Sequence, residues 1–397
     1  MLWTTMLYTK NKLSTFAGIR ITKMDKTFIF GVSVTGDNFT DRVKETQRLK
    51  MNFGAGVNTI LISPRRMGKT SLVKKVISET DRKDLKIIYM DIYDCRDEYD
   101  FYNRFASTVL KETSTKAEQI FDTAKDFLSR IVPKISVSPD QSSEYSVSLG
   151  ITPKNSSPEE ILSLPEKIAV KKGIHIVVCI DEFQQIGEFS DTTTIQKRLR
   201  AVWQHQQNVS YCLFGSKQHL MEKLFQSKRM PFYQFGDTIY LERIPTDDWK
   251  KYITGRFAAK GKHISDSLAE EICSKVENYS SYVQQLAWNV FLNTDTEATE
   301  ENLKDAIAEL LAQNSALFMQ QIGNLTTYQM NFIRALCSGI SYGFGSKEVL
   351  ETWNLGTKSN IARIQKVLID NELVEKNGKT ITLADPVFKL WFTTNYM

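Results

Sequence analysis

The stretch Thr59-Ile-Leu-Ile-Ser-Pro-Arg-Arg-Met-Gly-Lys-Thr-Ser-Leu72 has the residue types and spacing to hold a chain of phosphates. An apolar run ends at Ser63, a short loop follows, and Gly68-Lys69-Thr70-Ser71 opens an amphipathic segment. In a strand–loop–helix setting, the N–H groups of such a loop and of the helix N-terminus converge on an anion. Gly68 lets the backbone approach the phosphates, Lys69 reaches the β- and γ-phosphates, and the Thr70 hydroxyl can ligate Mg²⁺. Ser63 stands where the pattern G-x-x-x-x-G-K-[ST] has its first glycine. Pro64 biases Ser63 toward an extended conformation, which suits the last residue of a strand.

The second constellation is Ile174-His-Ile-Val-Val-Cys-Ile-Asp-Glu-Phe183, a hydrophobic strand that delivers Asp181 and Glu182 at its C-terminal end. Parallel α/β sheets carry their ligands at that end. Alone, such acids read as a solvated strand end; downstream of a phosphate loop, Asp181 reads as the aspartate on the Mg²⁺ side. A further strand, residues 209–216, ends in Ser216. Its hydroxyl either bonds the γ-phosphate or the attacking water, or simply caps the helix that comes next; both readings stand.

The elements that must position these residues fit a chain of 397 residues, long enough for two or three domains. With 42% hydrophobic and 24% charged residues, the composition is that of an ordinary globular protein. A net charge of +5 permits a nucleic-acid partner without arguing for one. Five widely spaced cysteines and four histidines form neither a disulfide framework nor a zinc pattern, as expected of reduced thiols in a cytoplasmic protein. No apolar stretch approaches the roughly 18 residues of a membrane helix. Residues 1–26 read as a basic leader. It is superficially like a transit peptide, but the expectation preferred here is an upstream translation ahead of a start at Met24.

In chain order, a turn at Gly36-Asp37-Asn38 and a helical pattern to Phe53 lead into the phosphate-loop strand, 57–63, and its helix, 69–78. A second buried strand, 86–93, precedes helices at about 98–113 and 115–131. The Ser-rich stretch 133–157 is either a half-exposed hairpin insert, from the alternation at Val137, Val147 and Leu149, or a flexible loop. After the strand of Asp181 come a helix at about 193–207, the strand 209–216, a helix at 218–225 and the strand 238–244. Residues 27–245 are therefore expected to form a three-layer parallel α/β domain. Residues 246–323 then carry only helical patterns and are expected to be a lid. Residues 324–397 read as three helices and a hairpin turning at Asn377-Gly378, a winged helix-turn-helix. Its presumed recognition helix presents Lys358, Asn360, Arg363, Gln365 and Lys366, able to reach bases and phosphates. Eight Lys/Arg against six Asp/Glu over 325–397 is a weak footprint for DNA, so protein contact stands beside it.

Three stretches together resemble the AAA+/STAND-like P-loop ATPases of the archaeal-type ATPase family, which also occurs in bacteria. They are Pro64-Arg-Arg-Met-Gly-Lys-Thr-Ser-Leu72, Cys179-Ile-Asp-Glu-Phe-Gln184 and Phe214-Gly-Ser-Lys-Gln-His-Leu-Met221. Phe39-Thr-Asp-Arg42 and Asp385-Pro-Val-Phe-Lys-Leu-Trp-Phe392 extend the resemblance over residues 27–397. It implies ATP as ligand and Mg²⁺-dependent hydrolysis, coupled to movement of the lid and winged helix and expected to be slow because this chain lacks the family's arginine before the fifth strand. It also implies nucleotide contacts from Ser63, Pro64, Arg65, Arg66, Met67, Gly68, Lys69, Thr70 and Ser71, and Mg²⁺ on Thr70 and Asp181. In the same terms Glu182 polarises water, Ser216 senses the γ-phosphate, and Phe39 and Arg42 lie on the adenine side. The absence of an N-K-x-D signature also favours adenine over guanine.

Where family members often carry a Gly-Arg before the fifth strand, this chain has Pro231-Phe-Tyr-Gln-Phe-Gly236, with Lys228 and Arg229 nearby. The lid stretch 278–285 has no sensor arginine. Two other readings remain beside the ATPase: a DNA-binding regulator that uses ATP as a conformational ligand, and a protein-interaction switch that self-associates with nucleotide bound.

Overall fold

Strands built mainly of apolar residues need cover on both faces, and the five strands of one parallel sheet have it most completely at its centre. The computed structural model describes residues 27–114, 117–128, 136–139, 145–152 and 157–397; the expected leader, 1–26, lies outside them. The sheet comprises β1 (Thr59–Ile62), β2 (Leu85–Asp91), β5 (His175–Asp181), β6 (Val209–Gly215) and β7 (Asp237–Tyr240). Their order is β2-β5-β6-β1-β7, parallel throughout. Thus β6 stands between β1 and β5, with Cys212 opposite both Thr59 and Cys179. The phosphate loop and the acidic strand end are therefore separated by one strand, and Ser216 directly follows that strand.

Alternate residues serve opposite faces. Leu61, Val177, Cys179, Cys212 and Phe214 join one core, and Ile60, Ile62, Val178, Ile180, Tyr211 and Leu213 the other. The second core is closed by aromatic rings, with Trp203 stacked on Tyr211 at 3.9 Å and Phe183 edge-on to Phe232 at 5.4 Å. The first core does not stop at the sheet. It continues through Trp249, Leu286 and Leu310 of the lid to Phe318, Phe388 and Trp391.

The lid helices are Thr246–Ala258, Asp266–Lys275, Ser280–Leu292 and Glu300–Gly323. Thr299 and Asn302 form a reciprocal capping box that starts the last of them. The winged helix has helices Thr327–Cys337, Lys347–Thr352 and Lys358–Asp370, then the antiparallel pair β8 (Val374–Asn377) and β9 (Thr380–Leu383). Asn377 pairs with Thr380, so the turn is Gly378-Lys379, one residue later than its dipeptide implied. Gly378, at φ +61°, takes the left-handed position that such two-residue turns require.

Within the Ser-rich insert, β3 (Ser136–Pro139) pairs antiparallel with β4 (Tyr145–Ser148). Asn103 anchors the segment just past β4, accepting from Ile151 N and donating to Ile151 O, both at 2.9 Å. Helices Pro158–Leu162, Leu164–Lys172 and Pro386–Tyr396 were not assigned from sequence; each carries a proline in its first turn, where the missing N–H costs nothing. Among the described residues no helix is long and apolar enough to cross a membrane. The five cysteines are free thiols.

Gly236, at the mouth of β7, passes so close to β1 that an added Cβ would sit 2.2 Å from the Asn58 carbonyl oxygen. Both partners are backbone and cannot swing aside. Gly236→Ala should therefore lower unfolding stability by about 1–3 kcal/mol, the usual cost of overpacking, read from urea denaturation midpoints.

Candidate phosphate-binding site

β1 delivers Ser63, 1% exposed, and the helix Lys69–Glu79 begins six residues later. The loop between them bends through two left-handed residues, Arg66 at φ +66° and Gly68 at φ +86°. Glycine takes that conformation freely, whereas Arg66 does so under strain. The strain is held from outside the loop. Arg66 O accepts from Ser281 N of the lid at 3.2 Å, and the Arg66 guanidinium lies 4.7 Å from the Tyr282 ring centroid.

Lys69 is buried and points into the loop. Its ammonium donates to Ser63 O at 2.9 Å, Ser63 Oγ at 3.0 Å and Pro64 O at 2.7 Å. The serine that replaces the first glycine thus contributes two of the three oxygens that hold the ammonium. Burial lowers the Lys69 pKa to about 8, and the negative charges of Glu182 and Asp181 oppose that fall.

Asp181, 4% exposed, ends β5 across from the loop. Its Oδ2 accepts from Thr70 Oγ1 at 2.7 Å and from Tyr89 Oη at 2.9 Å, and its Oδ1 accepts from Glu182 N at 2.9 Å. Burial pushes the Asp181 carboxyl above its usual range, while the Thr70 and Tyr89 bonds pull it back. Glu182 turns out of the strand at φ +54°. Its Oε2 accepts from Ser216 Oγ at 2.9 Å and from Gln184 Nε2. Gln184 fits there because residue 215 is glycine, since a Cβ at Gly215 would fall 1.7 Å from the Gln184 carboxamide oxygen.

Ser216 does not cap the helix after it. Lys217 occupies that N-cap position, and no side chain caps it. The Ser216 hydroxyl instead lies between Glu182 and Arg65, whose Nε donates to it at 3.4 Å. The chain thus brings together residues 63–71, Asp181, Glu182 and Ser216. The Ser71 hydroxyl is directed to Val34 N at 2.8 Å, and Met67 is buried in the core.

Phe39 is half-buried, with the Lys75 ammonium 4.9 Å from its ring centroid. Arg42, 3% exposed, donates to Met67 O at 3.3 Å and pairs with Glu45 at 3.3 Å. In this structure its guanidinium therefore braces the loop from behind. Lys228 and Arg229 are exposed in the loop before β7.

The winged-helix set is not part of this assembly. Lys358, Arg363 and Lys366 are exposed on the helix Lys358–Asp370, and Lys366 pairs with Asp370 at 2.6 Å. Asn360 and Gln365 are half-buried, and Asn360 Nδ2 donates to Leu355 O at 3.3 Å, so the presented face is narrower than the sequence implied.

Sequence reasoning missed Tyr89, Gln184 and the winged-helix acids Glu372 and Asp385. Glu372 pairs with Arg65 at 3.1 Å and Lys217 at 3.4 Å, and Asp385 pairs with Arg66 at 2.7 Å. Gln184 is adjacent to a recognised motif, but nothing in its local sequence marks it, and the others come from distant segments.

Residues 39–234 match the family described as "ATPase domain predominantly from Archaea", and residues 316–394 match that described as "Probable winged helix domain". Among solved structures, the chain is similar to the Walker-type ATPase paby2304 of Pyrococcus abyssi, with a TM-score of 0.67 and 17% identity over 92% of this chain and 99% of that one. The ADP form of the Aeropyrum pernix ORC2 protein gives a TM-score of 0.49 and 14% identity over 91% of this chain and 95% of that one. At these identities the first likeness speaks for the fold alone. No curated protein matches in sequence.

The brace predicts a cost that needs no ligand. Arg42→Gln removes a charged donor from the Met67 carbonyl and should destabilise the nucleotide-free protein by about 1.5–3 kcal/mol, the range for hydrogen bonds to charged groups. Urea unfolding without nucleotide checks it; an unchanged midpoint would mean that Arg42 braces nothing.

Proposed function

From the premise that residues 39–234 belong to the archaeal-type ATPase domain family and residues 316–394 to a winged helix domain, we propose that the chain binds ATP and hydrolyses it slowly, with Mg²⁺. The observation that carries this reading is the hydrogen bond of 2.7 Å between Thr70 and Asp181, with Lys69 and Glu182 flanking it. The triphosphate lies along the loop 64–70, and Lys69 exchanges the Ser63 and Pro64 oxygens for those of the β- and γ-phosphates. Phe39 and the segment before it border the adenine.

A hydroxyl and a carboxylate are hard oxygen donors, which suits Thr70 and Asp181 to Mg²⁺. Among the described residues no three His, Cys, Asp or Glu side chains cluster to cage a metal. That fits a cation that takes its remaining ligands from phosphates and water. When bound, the ion neutralises charge developing on the phosphate oxygens.

The protein's own residues do the rest. Glu182 Oε2 is held by Ser216 and Gln184, which leaves Oε1 to orient the attacking water and accept its proton. Ser216 and Arg65 border the γ-phosphate from the β6 side. An arginine acting in trans is worth about 10³–10⁵ in rate. None stands at the family's usual position before β7, so turnover by the isolated chain is slow.

Lys69→Ala should abolish ATP binding measured by calorimetry. Glu182→Gln should keep binding and reduce single-turnover cleavage by about 10²–10⁴-fold, the range for general-base catalysis. Equal cleavage in wild type and Glu182→Gln would remove Glu182 from the mechanism.

A second reading, contact of the winged helix with nucleic acid, has one observation in its favour. Of the six acids in residues 325–397, Glu372 and Asp385 pair with cations of the ATPase domain. The outer face with Lys358, Arg363 and Lys366 is therefore more basic than the domain's net charge. Duplex-DNA affinity should fall as salt rises; no binding at low salt, or a flat dependence, rejects this reading. In the remaining alternative, the winged helix docks a protein partner and ATP drives self-association, which size-exclusion chromatography with and without ATP separates.

A further inference from the structure

We infer that the winged helix is a built-in competitor of the triphosphate: the carboxylates at one edge of its wing occupy the cations of the phosphate loop until nucleotide displaces them. This rests on the ATP reading above and adds a means of regulation to it.

The edge is formed by Glu372, the turn residue before β8, by Glu375 within β8, and by Asp385, just past β9. Glu372 bridges Arg65 of the loop at 3.1 Å and Lys217, the neighbour of Ser216, at 3.4 Å. Asp385 takes Arg66 of the loop at 2.7 Å through Oδ2, which also accepts from Tyr282 Oη at 2.6 Å. Its other oxygen caps the helix Pro386–Tyr396. Glu375 lies between them in sequence, half-buried, within the fields of Arg243 and Lys69. Burial pushes its carboxyl up to about 7, with those two cations opposing the rise. Among the described residues no hydrogen bond to the Glu375 carboxylate is found, and the charges of Arg243 and Lys69 oppose its desolvation only in part.

An ordinary seam between domains would distribute its ion pairs over whatever surfaces meet. This seam also carries the Lys389–Glu277 pair at 2.9 Å, and Lys217 is shared with Glu188 at 2.7 Å. But the winged-helix acids Glu372 and Asp385 both take cations of the loop or of the neighbour of Ser216, namely Arg65, Lys217 and Arg66. A triphosphate presents the same kind of charge to the same groups. The two occupants therefore exclude each other.

Magnitudes favour a latch that opens. The side chains of Arg65 and Glu372 are 51% and 29% exposed, and those of Arg66 and Asp385 are 39% and 19% exposed. Pairs this open contribute about 0–1 kcal/mol each, little against a triphosphate gripped by a whole loop. The latch thus lowers apparent affinity by the fraction of molecules in which it is closed. It does not forbid binding.

The test compares full-length wild type with Glu372→Gln/Glu375→Gln, which removes two charges while leaving the Asp385 helix cap in place. Calorimetry with ATP and Mg²⁺ should show the double variant binding several-fold and up to about 25-fold tighter, because each of the two pairs Glu372 makes is worth at most about fivefold. Equal or weaker binding by the folded variant overturns the latch and leaves the ATP reading standing. Absence of binding in both proteins overturns the ATP reading and the latch with it.

If the variant does not fold, hydrogen exchange in the wild type decides. Amides of residues 372–383 should exchange faster with ATP bound, and unchanged or slower exchange there overturns the inference.

Discussion

A buried ammonium inside a loop of inward-facing backbone is the constraint on which the rest depends. Lys69 is dehydrated enough for its pKa to fall to about 8, so every donor it carries must find an oxygen. In this structure Ser63 and Pro64 supply those oxygens. That substitution explains how a serine can stand at the first glycine position of the pattern: its hydroxyl is used. The same reasoning accounts for Arg42, whose guanidinium holds the outer carbonyl of the loop at Met67.

Sheet order converts this loop into a site. Because β6 stands between β1 and β5, the residue that follows it, Ser216, falls between the cation side and the acid side and reaches both Arg65 and Glu182. Tyr89, from the edge strand β2 that pairs with β5, reaches Asp181. Lys69 is held within its own loop, whereas Thr70, Asp181, Glu182 and Ser216 are each held by a neighbour from a segment distant in sequence, which limits the wrong geometries open to them.

The lid and winged helix are tied to the site through two kinds of contact with different consequences. A continuous apolar core links the helix Glu300–Gly323 to Pro386–Tyr396, with Phe318 5.4 Å from both Phe388 and Trp391. Such packing is non-directional and does not respond to a charged ligand. The acidic edge against Arg65, Arg66 and Lys217 is ionic instead, and ion pairs depend on the charges placed beside them. A joint with an apolar part and an ionic part can therefore shift one edge without the domain separating.

The sequence by itself determined the phosphate loop, the acidic strand end, the five buried strands and the hairpin of the wing. These signals are local: periodicity, a glycine that must be left-handed at Gly68, and capping residues such as Thr299 and Thr326. It left Ser216 undecided between a cap and a site residue, and gave no sign of the part played by Gln184 or Tyr89. It put Arg42 on the adenine side without showing that its guanidinium donates to Met67 O. Only the tertiary structure decided those, because each depends on which strand lies next to which. The meeting of Glu372 and Asp385 with the loop was equally invisible, since those partners lie about three hundred residues apart in the chain. Spacing along a chain encodes a helix face or a strand edge, but it cannot encode which distant charge that face will meet once two domains share a core.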